Sequence, residues 1–493
     1  MTVADTLRDT GLKGPLDDAL VSREVTGLAF DSRRVQPGNL FFAFLGDRVD
    51  GRRFAPQALE KGALAVVCET PRPDYAPGPW IEVRHGRRAL ALAARNTYRK
   101  ALDQVSITGI TGTNGKTTTA YLADSIERAG GETTALIGTI EYLLAGRPRR
   151  AINTTPESLD LYRIFDELAQ LGGGSVTMEV SSHALEQGRV HGVPFETAVF
   201  TNLSRDHLDY HETMENYFAA KQLLFTGDPP PRQAVLNRDD GWCARLETAA
   251  ETSVLWYGFD QRADLRATNV RVDFDGVHFT AVWAGRQWEV HTRLLGRINV
   301  YNILAAIGVG IGRGYAPERI LAGIAACEAV PGRFERIEEG QPFLVVVDYA
   351  HTDDALRNVI AAARELSPKR VITLFGCGGD RDRAKRPLMG QAAGEGSDYV
   401  VLTSDNPRTE DPLAIMNDAL VGLRRQDVPH KVEPDRETAI QLVLSEANTG
   451  DIVIIAGKGH ETYQVIGESR ILFDDREVAR RVLRGYGYER GVA

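Results

Sequence analysis

The chain has 493 residues, 43% of them apolar and 25% charged, with a formal net charge of -9. That length predicts about three domains, each able to bury its own core without a disulfide or metal staple. The acidic balance argues against nucleic acid as the main partner, because phosphate backbones select basic surfaces, although local basic clusters can still hold a small anion.

The four cysteines, Cys68, Cys243, Cys327 and Cys377, are scattered and lack metal-ligand spacing, which fits a reducing, cytoplasmic compartment. The first 16 residues, MTVADTLRDTGLKGPL, have no apolar core of the kind a signal peptide needs. No apolar run reaches the roughly 18 residues a membrane helix requires, so no membrane insertion is expected.

In chain order, 40–46 reads as a buried strand, 62–69 as a helix end leading into another strand, and 87–102 as a helix entering the next domain. From Val105 a strand (105–110), a glycine loop and an amphipathic helix (117–130) follow one another. Further strands are expected at 175–180, 196–202 and 233–237. Strands alternating with helices indicate a mostly parallel α/β sheet. The stretch 253–295 looks different: within it VRVDFDGVHFTAVWAGRQWEVHT (270–292) alternates apolar and polar residues, as antiparallel hairpins do. Beyond about 332 a second α/β series runs through strands 343–348, 371–375, 399–403 and 451–456, with helices 353–367 and 477–485. In such a doubly wound sheet the chemistry belongs in the loops after the strand carboxyl ends. The expected domains are 1–102, 103–332 and 333–493.

The strongest local signal is Thr111-Gly112-Thr113-Asn114-Gly115-Lys116-Thr117-Thr118. A strand feeds a glycine loop that opens a helix, so backbone N–H groups can cradle phosphates, Lys116 can neutralise them, and Thr117 can ligate Mg²⁺. The usual phosphate-loop pattern has glycine at the position of Ile110; here the glycines are Gly109 and Gly112. Glu179 ends one predicted strand, before Ser181, Ser182 and His183. Asp206, His207, Asp209 and His211 follow another. A carboxylate and an imidazole beside a phosphate loop can hold a second Mg²⁺, or simply form a solvated polar loop; histidine is an unusual Mg²⁺ ligand.

Together, TGTNGKTT, NTTPESLDL (153–161), MEVSSHAL, SRDHLDYH and FAAKQLLF (218–225) resemble the Mur ligases, the ATP-dependent amide-bond-forming enzymes of peptidoglycan synthesis. The likeness continues in order through LGRINVYN (295–302), PGRFERI (331–337), DYAHTDDAL (348–356), GCGGDRDRAKRP (376–387), SDNPR (404–408), AGKGHETYQ (456–464) and FDDREVA (473–479). Within the family it is similar to the type that adds the third amino acid. The resemblance implies an α/β fold of three domains: a mixed α/β domain for the UDP end, a central P-loop ATPase with a small antiparallel sheet, and a mobile Rossmann-like C-terminal domain.

It also implies residue roles. Phe30, Asp31, Ser32, Arg33, Asp47, Arg48 and Val49 would hold the uridine end. Asn153, Thr154, Thr155, Ser181, Gln187 and Arg189 would hold the muramoyl-dipeptide. Gly112, Thr113, Asn114, Gly115, Lys116, Thr117 and Thr118 would hold the ATP phosphates. Asn299, Asn302, Arg333 and Asp348 would contact adenine and ribose, although the two asparagines also suit helix capping. Lys221 matches a lysine carried as a carbamate, which with Thr117, Glu179 and His207 would form the Mg²⁺ site; Lys116, Lys221, Glu179 and His207 would be catalytic. The family usually has proline where this chain has Asp353, which leaves the turn after Asp348 and His351 open.

Arg381, Asp405, Asn406, Pro407, Arg408, Gly457 and Glu461 match a set that binds diaminopimelate, Arg408 reading the distal carboxylate and Glu461 the distal ammonium. Cys377 reads as a small structural residue. The implied reaction joins meso-2,6-diaminopimelate to the γ-carboxylate of UDP-N-acetylmuramoyl-L-alanyl-D-glutamate through an acyl phosphate, in a monomer whose partners are small molecules. The alternatives are a lysine-adding Mur ligase and a folylpolyglutamate synthase-like ligase.

Overall fold

The computed structural model describes residues 1–46 and 50–489. It divides into two compact units: residues 1–266 with 302–323, and residues 267–301 with 324 onward.

In the first unit, a small sheet of four parallel strands opens the chain: β1 (Gly27–Ala29), β2 (Asn39–Phe42), β3 (Ala65–Cys68) and β4 (Trp80–Glu82). The expected strand at 40–46 ends at Phe42, and the helix expected at 87–102 runs as Gly86–Thr97 and Arg99–Leu102. The main sheet of this unit follows. Its strands are β5 (Ser106–Thr111), β6 (Thr134–Ile137), β7 (Glu141–Leu144), β8 (Arg147–Arg150), β9 (Ser175–Glu179), β10 (Phe195–Phe200), β11 (Gln233–Asn237) and β12 (Ser253–Gly258). Their spatial order is β12-β11-β10-β5-β9-β6-β7-β8. All neighbours from β12 to β6 pair in parallel; β6, β7 and β8 form an antiparallel meander. β5 lies between β9 and β10, while β6, next in the chain, lies on the far side of β9. The chain therefore leaves β5 towards one side and comes back on the other, which opens a crevice at its carboxyl end.

β13 (Leu265–Asp273) begins at the end of the first unit and leads into the hairpin of β14 (Gly276–Trp283) and β15 (Arg286–Thr292), antiparallel as the alternation predicts; the start of the expected stretch 253–295 differs, because β12 extends the main sheet in parallel with β11. The sheet beyond it has six strands: β16 (Glu335–Ile337), β17 (Leu344–Asp348), β18 (Val371–Cys377), β19 (Tyr399–Ser404), β20 (His430–Glu433) and β21 (Ile452–Ala456). They lie in the order β16-β17-β21-β18-β19-β20, parallel except for β16. Val345–Val347 and Ile452–Ile455 are fully buried because helices cover both faces. Helices 353–365, 385–396 and 412–423 pack on one face, and helices 436–446 and 475–485 on the other. A last hairpin, β22 (Tyr463–Ile466) and β23 (Ser469–Leu472), stands apart from the sheet. The mixed α/β class with several sheets is the one the sequence indicates.

Interleaving β21 between β17 and β18 gathers the carboxyl ends of β18, β19 and β21. A buried ion pair secures that gathering. Arg436 donates to both carboxylate oxygens of Asp475 at 2.7 Å, to Ser404 O at 3.2 Å at the end of β19, and to Ala456 O at 3.0 Å at the end of β21. Both side chains are fully inaccessible. Removing one partner strands the other charge, so Asp475→Ala should lower unfolding stability by about 3–5 kcal/mol. A denaturant titration that finds a change below about 1 kcal/mol would contradict this role.

Candidate functional site

The loop between β5 and the helix Lys116–Ala129 takes its shape from two glycines. Gly112 has φ +145, and a Cβ there would strike the Thr201 hydroxyl; Gly115 has φ +84, and a Cβ there would strike Asn302 Oδ1. Ile110 needs no such freedom. It still lies within β5, paired with Glu179 of β9, which explains why the glycine spacing departs from the usual pattern. Thr113 and Asn114 are pinned to the loop after β10: Thr113 N donates to Asn202 O at 2.9 Å and Asn114 N to Asn202 Oδ1 at 3.0 Å. The helix amino end, with Thr117 and Thr118 in its first turn, supplies the partial positive charge that suits a phosphate.

Two lysines converge on one carbonyl of this loop. Lys116 Nζ donates to Gly112 O at 2.9 Å and to Thr113 O at 2.8 Å, and Lys221 Nζ donates to Gly112 O at 2.8 Å. Lys221 is 1% exposed, and its Nζ lies 4.5 Å over the Tyr217 ring. Burial, and then the charge on Lys116, push the Lys221 amine well below its ordinary range, toward the neutral form.

Glu179 closes β9 and is 1% exposed. Its Oε1 accepts from the Thr117 hydroxyl at 3.0 Å and from Thr139 N at 2.9 Å; its Oε2 accepts from the Thr139 hydroxyl at 3.1 Å. A carboxylate and a hydroxyl in contact are the hard oxygen donors that Mg²⁺ takes. His207 stands differently. It sits at φ 52, half-exposed beside Asp206, with its ring 5.1 Å from His183 and 6.1 Å from Tyr217. Tyr217 thus touches both His207 and Lys221. Among the described residues no three His, Cys, Asp or Glu side chains form a metal cage. The residues fit Mg²⁺ only as a partial oxygen set, which substrate phosphates and an anionic form of Lys221 would complete.

Around Glu179, Thr155 bridges strand and loop. Its hydroxyl donates to Glu179 O at 2.9 Å and accepts from Ser181 N at 3.0 Å. Arg189 donates to Thr155 O at 3.0 Å and Gln187 Oε1 at 2.8 Å, and it pairs with Glu157 at 3.3 Å. Thr154 meets Thr139 at 3.1 Å, and the Tyr142 hydroxyl donates to Asn153 O. Ser181 caps the short helix Ser182–Glu186. The structure therefore brings Asn153, Thr154, Thr155, Ser181, Gln187 and Arg189 together beside Glu179. Ser32 lies apart from them, after β1, donating to Gln57 Oε1 at 2.7 Å. Phe30 stacks on Phe44, with centroids 6.4 Å apart. The expected contacts Asp47, Arg48 and Val49 lie outside the described residues.

In the second unit, Asp348 is held by Phe334 N at 2.7 Å and Ala350 N at 2.8 Å, and burial pushes its carboxyl up. Arg333 lies over the Tyr349 ring at 5.1 Å. Asn299 donates to Leu295 O at 2.7 Å. In the first unit, Asn302 Oδ1 accepts from the Thr119 hydroxyl at 3.4 Å. At the turn after Asp348, Thr352 caps the helix and Asp353 takes its first position, where proline and aspartate both fit. The departure from the family pattern therefore leaves the turn intact.

Loops after β18, β19 and β21 form a second cluster. Arg408 has φ 53 and is tied to the last hairpin: its N donates to Val465 O at 3.1 Å, and its O accepts from Gly467 N at 2.7 Å. Its guanidinium donates to Gly379 O. An alternative partner, Glu410, pairs instead with Arg386 at 2.7 Å, and Asp411 caps a helix. Among the described residues no carboxylate forms a salt bridge with Arg408. Asn406 Nδ2 donates to Glu461 Oε2 at 2.9 Å, and Asn406 Oδ1 accepts from Val465 N at 2.9 Å. Gly457, at φ +114, leaves room for the Asp405 carboxylate. Pro407 O lies where a Cβ on Gly379 would be, so these loops pack backbone to backbone. Arg381 is exposed at the rim. Cys377 is buried against Met389 Sδ at 3.7 Å, and burial pushes its thiol up to about 12, as for a structural residue. The sequence reading missed Thr139, Tyr217, Lys458 and the β22–β23 hairpin. Lys458 and the first two residues of β22 stood inside a motif, and nothing local signalled the burial of Lys458.

Family models match three consecutive stretches: the Mur ligase family catalytic domain at 24–98, the Mur ligase middle domain at 110–310, and the Mur ligase glutamate ligase domain at 332–459. The chain belongs to the Mur ligase family. A UDP-N-acetylmuramoyl-L-alanyl-D-glutamate–2,6-diaminopimelate ligase from Solibacter usitatus is 62% identical over 490 residues, covering 99% of both chains. One of the same name from Geobacillus kaustophilus is 45% identical, covering 94% of this chain and 96% of its own. A solved structure of a protein with that name superposes with a TM-score of 0.74 at 35% identity, over 99% of this chain and 100% of the other.

In this Mur ligase, His211 is buried, with Nε2 2.9 Å from Ser182 Oγ, and burial lowers its pKa to about 4. A histidine whose folded pKa is depressed contributes stability that is full above its unfolded pKa near 6.5 and is lost as pH falls toward 4. Unfolding stability should therefore decline over that window, and His211→Gln should make the decline shallower. Equal pH slopes in denaturant titrations of the two proteins would rule this out.

Proposed function

We propose that this Mur ligase joins meso-2,6-diaminopimelate to the D-glutamate γ-carboxylate of UDP-N-acetylmuramoyl-L-alanyl-D-glutamate, using ATP and working in the cytoplasm as a monomer. What carries the reading is the pairing of Arg408, a half-buried guanidinium with no carboxylate salt bridge among the described residues, with Asn406 and Glu461 in the loops after β18, β19 and β21. A cation and an anion carried by neighbouring loops suit a second amino-acid head, carboxylate to Arg408 and ammonium to Glu461. Arg408→Ala should remove most of a strong preference for meso-diaminopimelate over L-lysine, a discrimination expected at roughly 10⁴-fold. Comparable kcat/KM for the two amino acids in the unaltered protein would refute the substrate assignment and leave the ligase reading standing.

In this reading, Lys116 and the loop Gly112–Thr118 hold the transferring phosphoryl group of ATP. Thr155, Ser181 and Arg189, with Asn153, Thr154 and Gln187, orient the dipeptide. The γ-carboxylate oxygen takes the γ-phosphoryl group of ATP and ADP leaves; the diaminopimelate amine attacks the acyl carbon and loses a proton, and phosphate leaves as the amide forms. Thr117, Glu179, His207 and Lys221 would hold Mg²⁺, which when bound neutralises charge on the phosphoryl oxygens. Asn299, Asn302, Arg333 and Asp348 are assigned to the adenosine end, and Phe30, Ser32, Asp47, Arg48 and Val49 to the uridine end.

Burial shifts the Lys221 amine toward the neutral form, the form that adds CO₂ to give a carbamate with loss of a proton. That change would replace a second cation on Gly112 O with an anion beside Lys116. With ¹³C-labelled bicarbonate, the protein should show a carbamate carbon resonance that Lys221→Met lacks. An identical spectrum from both proteins would remove the carbamate from the account.

A further inference from the structure

Lys458, between Gly457 and Gly459 after β21, is 0% exposed, and the roles above leave it unused. Its Nζ donates to Glu461 Oε2 at 3.1 Å and to Asn406 Oδ1 at 3.3 Å, lies 3.8 Å from Asp405 Oδ1, and faces the Tyr463 ring at 5.5 Å. An ammonium with no access to water is retained only where its partners compensate it, and here those partners are the side chains of the proposed amino-acid pocket. The geometry at Glu461 is asymmetric. Asn406 Nδ2 and Lys458 Nζ both reach Oε2, at 2.9 and 3.1 Å, and no described side chain donates to Oε1. Fixing one oxygen with two donors sets the carboxylate plane and leaves the other oxygen to accept. Lys458 also balances one of the two negative charges of Asp405 and Glu461.

We propose that Lys458 is a positioning residue that aims Glu461 Oε1 at the distal ammonium of the amino-acid substrate, and so sets the preference for a substrate carrying that second amine. The inference rests on the diaminopimelate reading above. It makes a distinction which that reading lacks: Arg408 selects the distal carboxylate, while Lys458, through Glu461, selects the distal amine.

The test compares meso-diaminopimelate with 2-aminopimelate, which keeps the distal carboxylate but has hydrogen in place of the distal amine, and with L-lysine, in the full-length protein. The unaltered protein should prefer meso-diaminopimelate to both. In Lys458→Met, KM for meso-diaminopimelate should rise roughly tenfold, as for one lost orienting contact, with kcat within about threefold. KM for ATP and for the muramoyl-dipeptide nucleotide should not move. The preference over 2-aminopimelate should collapse, the preference over lysine should survive, and Lys458→Arg should restore much of the first. Because Lys458→Met leaves the buried Asp405 and the partly buried Glu461 without their cation, Glu461→Gln and the double variant Lys458→Met/Glu461→Gln complete the cycle. Once Glu461 is Gln, the second change should have little further effect on the amine preference. An unchanged preference over 2-aminopimelate in Lys458→Met, a parallel rise of all three KM values, or additive effects in the double variant would overturn the proposal. A failure of the diaminopimelate reading itself would show first, as an unaltered protein that accepts lysine equally well.

Discussion

One carbonyl oxygen, that of Gly112, holds two amines, and most of the first unit follows from it. The oxygen is available because Gly112 adopts φ +145, a backbone that side-chain-bearing residues rarely take. Lys116 reaches it from the start of its helix, and Lys221 from a helix more than a hundred residues later. Burial lowers the Lys221 amine first, and repulsion between two ammonium groups on one oxygen adds to it. The buried one yields its proton more readily, and Lys221, under Tyr217, is that one. Glu179 is spared this conflict because hydroxyl and backbone donors on Thr117 and Thr139 satisfy it without a cation.

The second unit solves a related problem with salt bridges. Parallel strands that end together leave carbonyls without ladder partners, and the pocket loops must leave from those same ends. Arg436 satisfies the carbonyls at the ends of β19 and β21 from below, fully buried on Asp475. Lys458 secures the polar groups above them. The guanidinium of Arg408 is left out of both networks and is held by backbone alone. Side chains already engaged with one another serve as scaffold, and those engaged only with backbone remain open to a ligand.

Much of this was legible in the sequence because the long parallel strands are continuous apolar runs and the phosphate loop has its own grammar. Gln233–Asn237 forms a strand with the bounds its pattern gives, and 270–292 is the hairpin its alternation implies. Thr134–Ile137 escaped notice because four buried residues are too short a run to tell from a helix, and other unnoticed strands carry no apolar pattern. Arg147–Arg150 is polar and fully exposed, and His430–Glu433 is an edge strand with little buried. The Tyr463–Leu472 hairpin was missed for the same reason, yet it fixes the backbone of Arg408. The rigidity there comes from a left-handed Arg408 bridged to Ile466. The burial of Lys221 and Lys458 could not be read locally, since each depends on strands far away in the chain.

In the proposed reaction both units serve one chemistry, and ATP is spent only when both halves of the new amide bond are supplied. The direct measurement is ADP formation by the purified protein with the muramoyl-dipeptide nucleotide, with and without meso-diaminopimelate. We expect sustained ADP release only when both are present, with one new amide bond per ADP. ADP release at the same rate without the amino acid, or none with both substrates and Mg²⁺ supplied, would contradict it.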